Sequence, residues 1–144
     1  MYIERATQVT DELIKAFERL LPQLKYSFPA VSRADLDAFV HSNSSILLCA
    51  RYPTEEAGIV GLLTLIIYRV PTGVRAHIED VVVDEGLRRK GIGEALMLNA
   101  LSLSRDAGAN GVALTSNPRR EAANRLYQKM GFNLWQTNLY FYEF

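Results

Sequence analysis

The chain has 144 residues, of which 49% are apolar and 22% charged, and its 16 basic side chains balance 16 acidic ones. Such a length and composition suit a single folded domain, 1–144, with a sizeable core, and they exclude a disordered or low-complexity chain. Zero net charge gives no general pull towards nucleic acid, so no nucleic-acid partner is expected and any anion site must be local.

In chain order, residues 2–6 read as a short strand. Thr10-Asp11-Glu12 then caps a helix that carries Leu13, Ile14, Phe17, Leu20 and Leu21, and Pro22 closes it. Ser27-Phe28-Pro29 is a loop, after which Ser32 caps a second helix with Leu36, Phe39 and Val40 on one face. Residues 45–52 and 58–70 are β-rich and separated by the polar turn 53–57. The turn Pro71-Thr72-Gly73 leads into a strand over 74–83. A helix is expected over 92–107, stopped by Gly108, then a strand over 111–115 and a helix over 121–130 closed by Gly131. Residues 132–135 and 139–144 read as the last two strands, joined around Thr137-Asn138.

This order predicts an α/β domain with a mixed sheet and helices on its faces. Strands joined by tight turns should be antiparallel, and those flanking the helix 92–107 should be parallel through a right-handed crossover.

Cys49 is the only cysteine, in the apolar run Ile46-Leu47-Leu48-Cys49-Ala50. That excludes a disulfide framework and a thiolate zinc cluster, and it points to a buried, inert thiol. No metal is expected. The first residues, Met1-Tyr2-Ile3-Glu4-Arg5, lack the apolar core of a secretory signal. The longest apolar stretch, 59–68, is too short for a bilayer and is interrupted by Gly61 and Thr64. These features predict a cytoplasmic protein without a membrane partner.

The most informative segment runs from Val81-Val82-Val83 through Arg88-Arg89-Lys90-Gly91-Ile92-Gly93-Glu94. A uniformly apolar strand enters a basic, glycine-punctuated turn, and a helix starts at once. The first amides of that helix have no intrahelical acceptor, and its dipole adds partial positive charge. Gly91 and Gly93 allow close approach to the backbone, while Arg88, Arg89 and Lys90 add full charges. A diphosphate suits this cradle. The triphosphate loop does not fit, because Glu-Ala-Leu follows Gly93 where Lys and Ser or Thr are needed. The dinucleotide fingerprint fails as well, because Leu96 stands where its third small residue belongs.

The run Arg88-Arg89-Lys90-Gly91-Ile92-Gly93 resembles the signature of the GNAT family of N-acetyltransferases: Gln or Arg, two residues, Gly, one residue, then Gly or Ala. The resemblance extends to the opening strand and helix pair, to Ala76-His77-Ile78-Glu79-Asp80-Val81-Val82-Val83, and to Asn124-Arg125-Leu126-Tyr127-Gln128-Lys129-Met130-Gly131-Phe132. It implies a mixed, mostly antiparallel sheet of six to seven strands with a central splayed parallel pair, flanked by four helices. It also implies acetyl-CoA as cosubstrate and an amine as acceptor. The backbone of Val81 and Val83, in the triplet with Val82, would pair with the pantetheine arm. The amides from Arg89 to Glu94, Ile92 included, would hold the diphosphate. Asn124 matches a position that contacts the arm in relatives, and an idle surface Asn is the other reading. Subunit pairing through residues 139–144 would make a homodimer, unless that tail packs internally.

The implied reaction is direct attack of a neutral amine on the thioester carbonyl, which requires a proton acceptor for the amine and a donor for the sulfur. Tyr127 matches the family's acid, although Ala123, Leu126, Tyr127 and Met130 would form a core stripe in any case. For the base, His77 and Glu79 should share one face of the strand while Ile78 and Asp80 point the other way. Either residue could act, directly or through water. The amide of Val81 is the implied partner for the thioester oxygen. Residues 26–29 and the aromatics Tyr140, Phe141 and Tyr142 are candidates to line the acceptor site. A small-molecule amine is the leading acceptor. A protein lysine or N-terminus, or a CoA-binding module without turnover, are the alternatives.

Overall fold

The computed structural model describes residues 1–144, which divide into two units, Met1–Leu114 and Thr115–Phe144. In the first unit the aliphatic runs pair into one sheet. Its order is β1 (Tyr2–Arg5), β2 (Ser45–Arg51), β3 (Ile59–Val70), β4 (Gly73–Val83) and β5 (Ala109–Leu114). The first four strands are mutually antiparallel, and β4 pairs β5 in parallel. Val70 pairs with Gly73, so β3 and β4 form a hairpin about Pro71 and Thr72. A parallel pair needs a long crossover, which α3 (Ile92–Asp106) supplies as expected.

Helix α1 (Asp11–Leu20) begins where the Thr10 hydroxyl accepts the Leu13 amide at 3.1 Å. Its buried residues Leu13, Ala16, Phe17 and Leu20 recur at the spacing of one helix face. Pro22 does not end the helical path outright. The chain tightens into a 3-10 turn, Leu21–Leu24, and stops at Lys25 with φ of 61°. Helix α2 (Arg33–Val40) opens with a reciprocal cap, in which Asp35 N donates to Ser32 Oγ at 3.1 Å and Ser32 N donates to Asp35 Oδ2 at 2.9 Å.

Alternation along the strands sorts side chains to the two faces of the sheet. Leu47, Cys49 and Leu62 join Leu13, Leu20 and Leu36 in the core under α1 and α2. Gly61 faces α3 instead: a Cβ there would stand 3.2 Å from Leu96 Cδ1 and 3.3 Å from Ile92 Cγ2. The missing side chain lets the first turns of α3 lie close on the sheet, which fixes where that helix starts.

Arg51 binds the opposite edge together. Its Nε donates to Glu4 Oε1 at 2.6 Å, Nη1 and Nη2 each reach Glu12 at 2.8 Å, and Nη1 also donates to Ala57 O at 2.8 Å. The guanidinium hydrogen bond lowers the pKa of Glu12, and the paired carboxylates raise that of Arg51.

In the second unit α4 (Glu121–Lys129) ends at Gly131, which has φ of 91°. The expected strands over 132–135 and 139–144 are not formed. Residues 132–144 carry no regular structure, with Trp135 79% and Phe141 88% exposed. Aromatic and β-branched content raises strand propensity, but a strand exists only through a ladder, and the sheet contains five strands rather than six to seven. No helix is long and apolar enough to cross a membrane.

Cys49 lies in the core at 1% exposure, and burial pushes its thiol pKa up to about 12. At pH 8 the thiolate fraction is then on the order of one in ten thousand. Native protein should resist iodoacetamide at that pH and react readily once denatured, as mass spectrometry of the intact chain would record.

Candidate functional site

The cradle begins at the end of β4. Asp84 N donates to Val60 O at 2.9 Å, and Asp84 Oδ1 accepts the Gly86 amide at 3.2 Å, starting the 3-10 turn Glu85–Leu87. Helix α1 and the 3-10 turn after it hold the same stretch from the side. Arg19 is ion-paired with Asp84 and donates to Ile59 O at 2.6 Å, and the Glu85 amide donates to Gln23 Oε1 at 2.9 Å. Beyond this anchored turn, Arg89 and Gly91 both adopt left-handed conformations, with φ of 65° and 78°. Two such residues in three bend the chain sharply, and a turn of this kind suits a nest of backbone amides for an anion. Helix α3 follows directly, with Gly91 at its N-cap and no side chain capping it.

Gly91 earns its place by conformation more than by clearance, since a Cβ there would meet nothing within 4 Å while the positive φ would strain it. Ile92, 1% exposed, plugs the helix start into the core, and Gly93 and Glu94 complete the first turn half-buried. Arg88, Arg89 and Lys90 are exposed around the nest. The uncapped helix start, the left-handed pair and the three cations all suit a diphosphate.

One flank of β4 has a ladder partner for only part of its length. Its ladder to β5 stops at Ile78, paired with Leu114, while β4 itself runs on to Val83. On the other side β3 stays paired to the end, with Leu62 opposite Val82 and Gly61 opposite Val83. The parallel ladder therefore stops short of Val81, Val82 and Val83. Val82 is buried, and Val81 and Val83 are half-buried.

Register also slips within β4. Thr64 pairs with Glu79 but Leu62 pairs with Val82, so Leu63 faces both Asp80 and Val81. Asp80 takes the extra residue's left-handed conformation, with φ of 49°. Strict alternation would send Glu79 and Asp80 to opposite faces. The bulge overrides it, and both carboxylates line one cavity of about 560 Å³ within the first unit. Ile78 stays buried as expected.

His77 is not among the cavity residues, but its Nε2 lies 3.0 Å from Glu79 Oε1. The loop between α1 and α2 contributes Tyr26, Phe28 and Pro29 to the cavity, and the Tyr26 hydroxyl donates to Asp80. Asp35 of α2 also lines it. Asp80 and Asp35 were not singled out by sequence reasoning. Asp35 also closes the reciprocal cap of α2, and no residue pattern marks the bulge at Asp80.

In the second unit Tyr127 is 7% exposed, its ring set edge-on to Phe132 at 6.0 Å, and burial raises its pKa. Asn124 Nδ2 donates to Asn117 O at 2.9 Å and to Arg120 O at 3.0 Å, so its amide group secures the entry to α4. Tyr140, Phe141 and Tyr142 are exposed.

A model of the acetyltransferase (GNAT) family matches residues 8–132. Glucosamine 6-phosphate N-acetyltransferase of Trypanosoma brucei brucei is 42% identical over 77 residues, covering 51% of this chain and 50% of that enzyme. The chain thus spans half the length of that curated relative. Among solved structures, an acetyltransferase of Trypanosoma brucei aligns with a TM-score of 0.76 at 26% identity, over 99% of this chain and 100% of that one. An aminoglycoside acetyltransferase, meta-AAC0020, from an uncultured soil metagenomic sample aligns with a TM-score of 0.80 at 22% identity, over 99% and 95%. Because the match runs from the residues before α1 to Phe132, through both the nest and α4, the chain belongs to the acetyltransferase (GNAT) family.

Proposed function

We propose that this chain transfers the acetyl group of acetyl-CoA to a primary amine of a small molecule, by direct attack of the amine on the thioester. The observation that carries this reading is the left-handed pair Arg89 and Gly91 opening onto the uncapped start of α3, in the turn that follows β4, whose own ladder to β5 stops at Ile78. The nest would hold the diphosphate, and Arg88, Arg89 and Lys90 would neutralise it. The pantetheine arm would lie along β4 beyond the end of its ladder to β5, with the Val81 amide facing the thioester oxygen as the family resemblance implies. A cavity of about 560 Å³ falls within the range of about 300–1,000 Å³ that suits small molecules. A protein lysine has no comparable observation in its favour.

Glu79 is the proposed base, because it reaches the cavity whereas His77 stands behind it. An ammonium acceptor first gives one proton to Glu79, with the His77 imidazole holding that carboxylate in place. The nitrogen lone pair then forms the C–N bond as the C–S bond breaks, and the departing thiolate takes a proton from Tyr127. The second proton shed by the nitrogen restores the tyrosine hydroxyl through water. Burial keeps Tyr127 protonated at neutral pH, as a donor must be. Asn124, with its amide engaged near α4, is proposed to steady that segment and to offer its oxygen to the arm.

Calorimetry should detect acetyl-CoA binding, and CoA thiol release should follow on adding an amine panel; binding absent at high protein concentration would defeat the reading. Gly91→Val should weaken acetyl-CoA binding by at least about tenfold, since a branched residue adds roughly 1–2 kcal/mol of strain in a left-handed conformation and reshapes the nest. Circular dichroism should show the fold retained, and unaltered affinity would remove the nest from the site. Tyr127→Phe should reduce kcat by about 10²-fold or more with little change in acetyl-CoA affinity. An unaltered rate would exclude Tyr127 as the acid.

A further inference from the structure

We infer that the acceptor is a cationic primary amine carried on an apolar aryl or alkyl body, and that phosphorylated sugars are discriminated against. This deepens the acetyl-transfer reading above and rests on it. The cavity that receives Glu79 has a one-sided charge. Asp35, Glu79 and Asp80 line it, and no Lys, Arg or His does. In a chain whose charges sum to zero, three carboxylates around one small volume are a local departure and create a field that concentrates cations. Hydrogen bonds from the Ser32 amide and hydroxyl hold Asp35 ionised, and Arg33, the nearest cation in sequence, is turned to Asp11 at 2.9 Å instead.

The rest of the wall is apolar. Phe17 of α1, Phe39 of α2 and Phe28 of the connecting loop face the cavity together with Leu47, Leu62 and Ile66 of the sheet. Aromatic faces attract an ammonium group and gain by covering hydrocarbon. A phosphate ester would enter among three carboxylates with no guanidinium or ammonium to receive it. A ring of sugar hydroxyls would lose hydration against phenylalanine and leucine side chains without replacement partners. Charge therefore orients the amine towards Glu79 and Asp80 on β4, and the phenylalanines take the body.

The trypanosomal relative is named for glucosamine 6-phosphate, but its 42% identity covers only 51% of this chain, which leaves the acceptor walls free to differ. The lining seen here is mismatched to a phosphate on sign of charge alone.

The test measures CoA thiol release with acetyl-CoA and each of three acceptors: 2-phenylethylamine, hexylamine and glucosamine 6-phosphate. The two apolar amines should exceed glucosamine 6-phosphate in kcat/KM by at least about tenfold. Asp35→Asn, which keeps a side-chain oxygen for the α2 cap, should raise KM for 2-phenylethylamine about threefold to tenfold while leaving acetyl-CoA affinity unchanged. Equal or faster turnover of glucosamine 6-phosphate overturns the inference. So does retained acetyl-CoA binding with neither apolar amine turned over, and an unchanged KM in Asp35→Asn overturns its electrostatic basis. Loss of acetyl-CoA binding itself, read by calorimetry, brings down the acetyl-transfer reading as well and is told apart from the other outcomes by that measurement.

Discussion

Backbone pairing along β4 sets the geometry on which every other part of the site depends. On one side the strand stays paired with β3 as far as Val83, across the bulge at Asp80; on the other, β5 is with it only as far as Ile78. A strand held along one whole flank fixes where the turn that follows it begins. The nest is fixed in turn because Ile92 is buried and α3 sits close over Gly61. The bulge at Asp80 turns two neighbouring carboxylates to one side. The single strand thereby organises an anion cradle at its end and an acidic cavity beside its middle.

These two regions divide the charge of a neutral chain. Arg88, Arg89 and Lys90 gather at the turn, whereas Asp35, Glu79 and Asp80 gather in the cavity. The balanced composition conceals this sorting, because summed charge carries no information about placement. For the proposed reaction between a polyanionic donor and a cationic acceptor, the arrangement would steer each reactant to its own compartment. It also disfavours exchange of the two, since each would meet like charge in the wrong place.

Much of the first unit was legible in the residues. Thr10 and Ser32 announced their helices through caps that form as expected, and Pro71-Thr72 announced the β3–β4 hairpin. The parallel pairing of β4 and β5 followed from the helix between them. Two features were not legible, for different physical reasons. Asp80 carries no glycine signal for its positive φ, because aspartate tolerates that conformation unmarked, so alternation misassigned its face. The run from 132 to 144 has strand-like composition, but propensity does not supply a pairing partner, and the run forms no ladder. At the cradle the sequence located Gly91 and supplied only half its reason. Steric clearance was the expectation, and the left-handed backbone shared with Arg89 is the larger part.

Arg51 bears on how such a protein could change its choice of acceptor. By holding Glu4, Glu12 and the Ala57 carbonyl at once, it ties β1, α1 and the β2–β3 turn into a single stiff block. Helix α1 forms one wall of the cavity, so that wall inherits the stiffness. The facing wall is the segment from Lys25 to Ser32, outside regular structure and tethered by the Tyr26 hydroxyl on Asp80. Natural variation can rewrite that short segment residue by residue without disturbing the scaffold, and a lineage can acquire new amines while its acyl-donor apparatus stands untouched.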